Sequence, residues 1–122
     1  MKNKKSFSIH ARGRSFKYAF EGIKVFFRSE HNAWLHLLGT ITVIILAVVV
    51  HVSRIEIIAL TFAIGFVWTA ELFNTAIEKI MDFVSMEQDP KIRFIKDLSA
   101  AAVLVAAVVA VITGCIIFIP KL

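Results

Sequence analysis

Apolar and polar positions alternate along this chain in long blocks. The first block, "LHLLGTITVIILAVVV" from Leu35 to Val50, carries no Asp, Glu, Lys or Arg and is flanked by Trp34 and His51 as interfacial residues. That pattern predicts a membrane-crossing helix over 34–51. The last block, "AAAVLVAAVVAVITGCIIFI" from Ala100 to Ile119, is also free of charge. At 1.5 Å per residue it spans about 30 Å, the thickness of a hydrocarbon core, and predicts a helix over 97–120. The middle block, "IIALTFAIGFVWTA" from Ile57 to Ala70, reaches only about 21 Å. A complete span over 55–82 must therefore run on through Glu71 and Asn74, and an ionisable group at that depth is costly enough to mark a functional site. The bland reading is a short helix whose polar end emerges into water.

The polar positions after Ala70 are themselves periodic. At 100° per residue, Glu71, Asn74, Glu78 and Asp82 fall within about 80° of one another on a helix, a single polar stripe. Ahead of the first span, Phe16, Phe20, Ile23 and Phe27 recur at helical spacing, while Lys17, Glu21, Lys24 and Arg28 repeat it one residue on. That predicts an amphipathic helix lying in the membrane interface, or packed on the bundle, within residues 1–30. The fold class is thus an all-α membrane protein of one domain: an N-terminal surface helix followed by three transmembrane helices.

Composition supports this. The chain has 122 residues, 58% hydrophobic, with a mean hydropathy of +0.78, well above an ordinary soluble domain. "MKNKKSFSIHARGRS" has the charges of a secretory leader, but no apolar stretch follows it directly. Cys115 is the one cysteine, so no internal disulfide framework exists, and it reads as a small packing hydrophobe. The net charge of +5 follows membrane orientation rather than a nucleic-acid partner. Eight Lys and Arg precede the first span, one (Arg54) lies in the first loop, four (Lys79, Lys91, Arg93, Lys96) surround the second, and one (Lys121) ends the chain. Basic segments stay inside, so the N-terminus and second loop are expected in the cytoplasm and the C-terminus outside.

That orientation gathers Glu30, Glu71, Asn74, Glu78, Asp82, Lys96 and Asp97 near one membrane face. The set suits phosphoryl transfer. Carboxylates can hold Mg²⁺ against substrate phosphates, a lysine can neutralise phosphate charge, and a further carboxylate can accept the proton of an attacking hydroxyl. No Walker A or glycine-rich nucleotide motif is present. A small oligomeric transporter or channel subunit, with Glu71 as a proton or cation site, would carry similar residues and stands as the alternative. His31, His36 and His51 have no metal-type spacing and read as interfacial polar residues; Trp34 and Trp68 read as interface and packing aromatics, and the span threonines as groups that satisfy helix backbone or neighbouring helices.

"ELFNTAIEKIMD" resembles the E-x-x-N-S/T-A-I-E-x-x-x-D signature of the small bacterial integral-membrane diacylglycerol and undecaprenol kinases. "KDLSAAAVL" resembles the segment opening their third span, and "YAFEGI" and "EHNAWLH" resemble segments of their surface helix and first span. The resemblance covers nearly the whole chain. It implies a homotrimer in the bacterial inner membrane that moves the γ-phosphate of MgATP directly to a lipid hydroxyl, at sites shared between subunits. By the same resemblance Glu71 corresponds to the general base, and Glu30 and Glu78 to the Mg²⁺-binding carboxylates. Tyr18, Glu30, Asn74, Glu78, Lys96 and Asp97, with Glu87, Gln88 and Asp89 of the loop, correspond to ATP-binding positions. Asn32, Ala33, Trp34, Leu35 and His36, with Glu71 and Ala100, correspond to the lipid-facing set. Two positions depart from the family pattern: Ala11 stands where an arginine is usual, with Arg12 and Arg14 nearby, and Asp89 stands where the loop has histidine. The E-x-N-x-x-x-H form is more similar to the undecaprenol kinases of Gram-positive bacteria.

The basic–neutral–basic pattern makes a topological prediction. Single cysteines placed at position 88 should be labelled only from the cytoplasmic side, and at position 53 only from outside. The reverse result would dissolve the convergence of charges on one face.

Overall fold

The computed structural model describes residues 8–85, 87 and 89–122. Its elements are helical throughout: α1 Ile9–Ser29, α2 His31–Val49, α3 Arg54–Val84 and α4 Pro90–Phe118, followed by a 3-10 turn over Ile119–Lys121. The chain divides into two compact units, Met1–Trp34 and Leu35–Leu122.

In the first unit, the Ser8 hydroxyl accepts the Ala11 N–H at 3.3 Å and so caps α1, satisfying one of the amides that a helix start leaves unpaired. The helix ends at Ser29 because Glu30 adopts extended backbone, φ −123° and ψ 116°. Glu30 N–H still donates to the Phe26 carbonyl at 3.0 Å, and the Glu30 carbonyl accepts from Ala33 N–H at 3.2 Å as α2 begins. Glu30 is therefore the joint between two helices. Trp34 laces that joint: its indole N–H donates to the Phe27 carbonyl at 3.1 Å, and the two rings meet edge to face at 5.0 Å. Phe16, Tyr18 and Phe20 are exposed along α1.

In the second unit, α2 closes with two overlapping backbone bonds, Val52 N–H to Ala47 and His51 N–H to Val48. That is the Schellman arrangement, with His51 in the left-handed region at φ 55° where glycine is usual. Ser53 and Glu56 then form a reciprocal capping box at the start of α3. Asp89 caps α4 by accepting the Lys91 N–H at 2.7 Å, and Pro90 occupies the first turn, where its missing N–H costs nothing.

Helices α3 and α4 run antiparallel. Lys96 meets Asp82, Ser99 meets Asn74, and Lys121 meets Glu56 at 3.2 Å, so position numbers rise on one helix as they fall on the other. The seam buries small residues, Ala63 and Thr75 from α3 and Ser99 and Ala106 from α4, which lets the backbones approach closely. Helix α2 meets α3 differently, through side-chain hydrogen bonds rather than closely packed backbones.

Outside that seam the unit is apolar and open. Leu38, Ile44, Ile45 and Val48 on α2, Phe62 and Phe73 on α3, and Leu104 and Val111 on α4 are all exposed. Water would not tolerate so much contiguous apolar surface. The three helices from His31, Arg54 and Pro90 are each long and apolar enough to cross a membrane. In hydrocarbon a helix also satisfies its own backbone, which is why the chain contains nothing else among its regular described elements. Helix α3 overruns the apolar block that predicted it. Its 31 residues extend about 46 Å and carry the polar stripe on one unbroken helix. Helix α4 begins at Pro90, well before residue 97 where the apolar span was expected.

Candidate functional site

The stripe Glu71, Asn74, Glu78 and Asp82 lies on α3 and is divided among three sets of partners. Measured from Arg54, Glu71 is about 26 Å along the helix axis and Asp82 about 42 Å. A core of roughly 30 Å would therefore hold Glu71 within its thickness and release Asp82 beyond it.

Glu71 is only 6% exposed. Its Oε1 lies 2.8 Å from Nε2 of His36, on α2. A buried carboxylate needs such a partner, because leaving it unpaired in apolar surroundings costs several kcal/mol. His36 is held in turn. Its carbonyl accepts the Thr40 hydroxyl at 2.7 Å, and the same Thr40 oxygen accepts the Trp68 indole N–H at 2.9 Å. Trp68 lies one turn before Glu71 on α3, and its ring stands 6.2 Å from the His36 ring. The tryptophan is therefore a tie between α2 and α3 as well as a packing group, and His36 faces inward to a carboxylate.

Asn74 is half-buried and bonded on both sides. Its Oδ1 accepts the Ser99 hydroxyl at 2.7 Å, and its Nδ2 donates to Glu78 Oε1 across a longer 3.5 Å. Ser99 is buried in the α3–α4 seam, so it fixes which way the amide points. Glu78 has only this long bond to Asn74 among its described contacts, which leaves its carboxylate available to a ligand.

Beyond Glu78 the stripe reaches the loop between α3 and α4. Lys96 Nζ pairs with Asp82 Oδ1 at 2.7 Å, with both side chains partly exposed. Asp82, Glu87, Asp89, Arg93, Lys96 and Asp97 line a cavity of about 360 Å³. Four carboxylates face two cations there, a balance that repels a bare polyphosphate and favours one carried with a divalent cation. Asp89 is occupied as the α4 cap, a structural use the sequence did not reveal.

The second unit thus brings together His36, Glu71, Asn74, Glu78, Lys96, Asp97, Glu87 and Asp89 of the expected set, and adds Thr40, Trp68 and Ser99 as their supports. Leu35 and Ala100 are exposed on α2 and α4. Tyr18, Glu30, Asn32, Ala33 and Trp34 belong to the first unit; there Tyr18, Asn32 and Trp34 are exposed, Ala33 is buried and Glu30 sits at the helix joint. Gln88 lies outside the described residues. Cys115, read as a packing hydrophobe, carries an exposed free thiol.

Among the described residues, no three His, Cys, Asp or Glu side chains converge as a ready metal cage. Mg²⁺ does not require one. It takes hard oxygen ligands, keeps several waters, and commonly uses one or two carboxylates with substrate phosphates. The donor set on this stripe, a weakly engaged Glu78 beside an acidic cavity, fits that mode.

Comparison with known proteins agrees with the signature. Residues 17–118 match the model of the family described as prokaryotic diacylglycerol kinase. The chain is 38% identical to an undecaprenol kinase of Bacillus subtilis strain 168 over 109 residues, covering 89% of each chain. It is 34% identical to a diacylglycerol kinase of Synechocystis over 109 residues, covering 88% of this chain and 62% of that one. It is 29% identical to the diacylglycerol kinase of Escherichia coli K12 over 100 residues, covering 82% of each.

Proposed function

The chain belongs to the prokaryotic diacylglycerol kinase family, and from that membership we propose that it transfers the γ-phosphate of ATP directly to the hydroxyl of a membrane lipid alcohol, with Glu71 as the base. The observation that carries the assignment of Glu71 is its burial, at 6% exposure, beside the His36 imidazole in a helix long enough to cross the bilayer. A lipid hydroxyl at the edge of the hydrocarbon is an acceptor that such a depth can reach.

The division of the stripe supports a division of roles. Glu71, deepest, takes the proton from the lipid hydroxyl as its oxygen attacks the γ-phosphorus. Glu78, nearer the loop and weakly engaged, is the carboxylate that would hold Mg²⁺ together with Glu30. When bound, that ion offsets phosphate charge and orients the transferring group. Asn74, oriented by Ser99, donates toward phosphate oxygens, and Lys96 and Asp97 with Tyr18, Glu87, Gln88 and Asp89 hold the nucleotide. Asn32, Ala33, Trp34, Leu35 and Ala100 form the lipid-facing side, and the partly exposed His36 borders it while its Nε2 meets Glu71. Helix α1 lies in the interface, its aromatics in acyl chains and its bases toward anionic headgroups. The protein works in the bacterial inner membrane, N-terminus and second loop in the cytoplasm, C-terminus outside, as a homotrimer whose sites are shared between subunits.

Purified protein given labelled ATP should phosphorylate lipid and leave ATP intact without it. Of the two acceptors named for relatives, undecaprenol should be used faster than diacylglycerol, in keeping with His36 and the match to the Bacillus subtilis enzyme. Transfer to neither lipid, with ion flux in sealed vesicles, would favour the transporter reading.

Glu71→Gln should lower kcat about 10²–10⁴-fold with little change in KM for MgATP, as loss of a general base requires. Glu78→Gln should instead raise KM for MgATP, with partial relief by excess Mg²⁺. Near-normal turnover of Glu71→Gln in a folded oligomer would exclude it as the base.

Shared sites make a further prediction. Oligomers assembled from inactive Glu30→Ala chains and inactive Glu71→Ala chains should recover measurable kinase activity. No recovery in verified mixed oligomers would show that each chain carries a complete site.

A further inference from the structure

The contact between His36 and Glu71 does more than satisfy a buried carboxyl group. A general base must enter the reaction as a carboxylate, which only accepts hydrogen bonds, so in the reacting arrangement the 2.8 Å contact has His36 Nε2–H as donor and Glu71 Oε1 as acceptor. That bond fixes the carboxylate's rotamer and leaves Oε2 with its lone pairs free for an incoming proton. The side chains differ in exposure, 8% for Glu71 and 25% for His36, so the donor approaches from the more open side.

The register that brings His36 to this point is set one turn away. Backbones of α2 and α3 are not closely packed, and the bond from Trp68 Nε1 to Thr40 Oγ1 crosses between them at 2.9 Å. Thr40 also bonds the His36 carbonyl at 2.7 Å. Trp68, Thr40 and His36 therefore form a continuous chain from α3 across to α2 and back to α3 at Glu71.

We propose that His36 is a positioning residue for the base: it holds the Glu71 carboxylate aimed at the acceptor hydroxyl, and the Trp68–Thr40 bond holds His36 in register. This rests on the reading of Glu71 as the base. The reaction then balances simply. The lipid O–H bond breaks with its proton going to Glu71 Oε2, the lipid oxygen bonds the γ-phosphorus, and the bond from that phosphorus to the β–γ bridging oxygen breaks with its electron pair leaving on ADP. His36 keeps its hydrogen throughout and touches no reacting atom.

The test is a double-mutant cycle on the intact protein in lipid micelles, with KM for MgATP and oligomer size recorded for every variant. A hydrogen bond to a charged group is worth enough that His36→Leu should lower kcat roughly 10- to 100-fold at unchanged KM for MgATP. In His36→Gln the amide N–H can occupy the place of Nε2–H, and kcat should return to within about three-fold of the parent. Trp68→Phe, which keeps the ring and removes only the donor, should lower kcat by about the factor of one neutral hydrogen bond, roughly five-fold. In a Glu71→Gln background His36→Leu should cost almost nothing further, because the group it positions is gone. If His36→Leu costs the same factor with and without Glu71, or if His36→Gln is as slow as His36→Leu, the positioning role is overturned while the base assignment stands. If Glu71→Gln alone keeps normal turnover, the base assignment fails and the positioning role falls with it.

Discussion

Burial of one carboxylate governs much of how this chain is arranged. An apolar helix that crosses a membrane carries a buried carboxyl group at low cost only if that group finds a polar partner, since leaving it unpaired in apolar surroundings costs several kcal/mol. Here the partner is a histidine on another helix, and the demand therefore reaches beyond α3. Helix α2 must present His36 at the depth of Glu71, which requires a fixed register between two helices. The Trp68–Thr40 bond meets that requirement one turn away.

The α3–α4 seam solves a different problem. There is no hydrophobic drive between helices already in lipid, so contact comes from small residues and from polar groups with no better partner. Ala63, Thr75, Ser99 and Ala106 bring the backbones together, and the same seam delivers Ser99 to Asn74 and Lys96 to Asp82. Packing and site construction are one act: the residues that permit close approach also orient the amide next to Glu78. At the far end Lys121 pairs with Glu56, inside the capping box that starts α3. The long antiparallel pair is thus tied near both of its ends.

The gradient along the stripe follows from helix length. A span of about 46 Å exceeds the hydrocarbon thickness, so one face passes continuously from a buried acid to an exposed, ion-paired one. A lipid hydroxyl and a nucleotide live on opposite sides of that boundary. A kinase acting on lipid alcohols has to bring them together, and a single overlong helix carrying polar side chains at intervals of three and four residues spans both environments.

The three apolar helices, the run of aromatics and bases before them, and the stripe of Glu71, Asn74, Glu78 and Asp82 were legible in the order of residues, because span length and helical period are local properties. It also carried the family signature. What each stripe residue touches follows from how the helices pack. His36 lies 35 residues from Glu71, Ser99 lies 25 from Asn74, and Lys96 lies 14 from Asp82. Those pairings depend on helix register, which no local pattern encodes. His36 read as an interfacial, lipid-facing residue for that reason, Trp68 as an interface and packing aromatic, and Asp89 as a loop contact rather than the cap of α4. A histidine in an apolar block looks the same in sequence whether it faces lipid or an acid. Only the packing of α2 against α3 distinguishes the two.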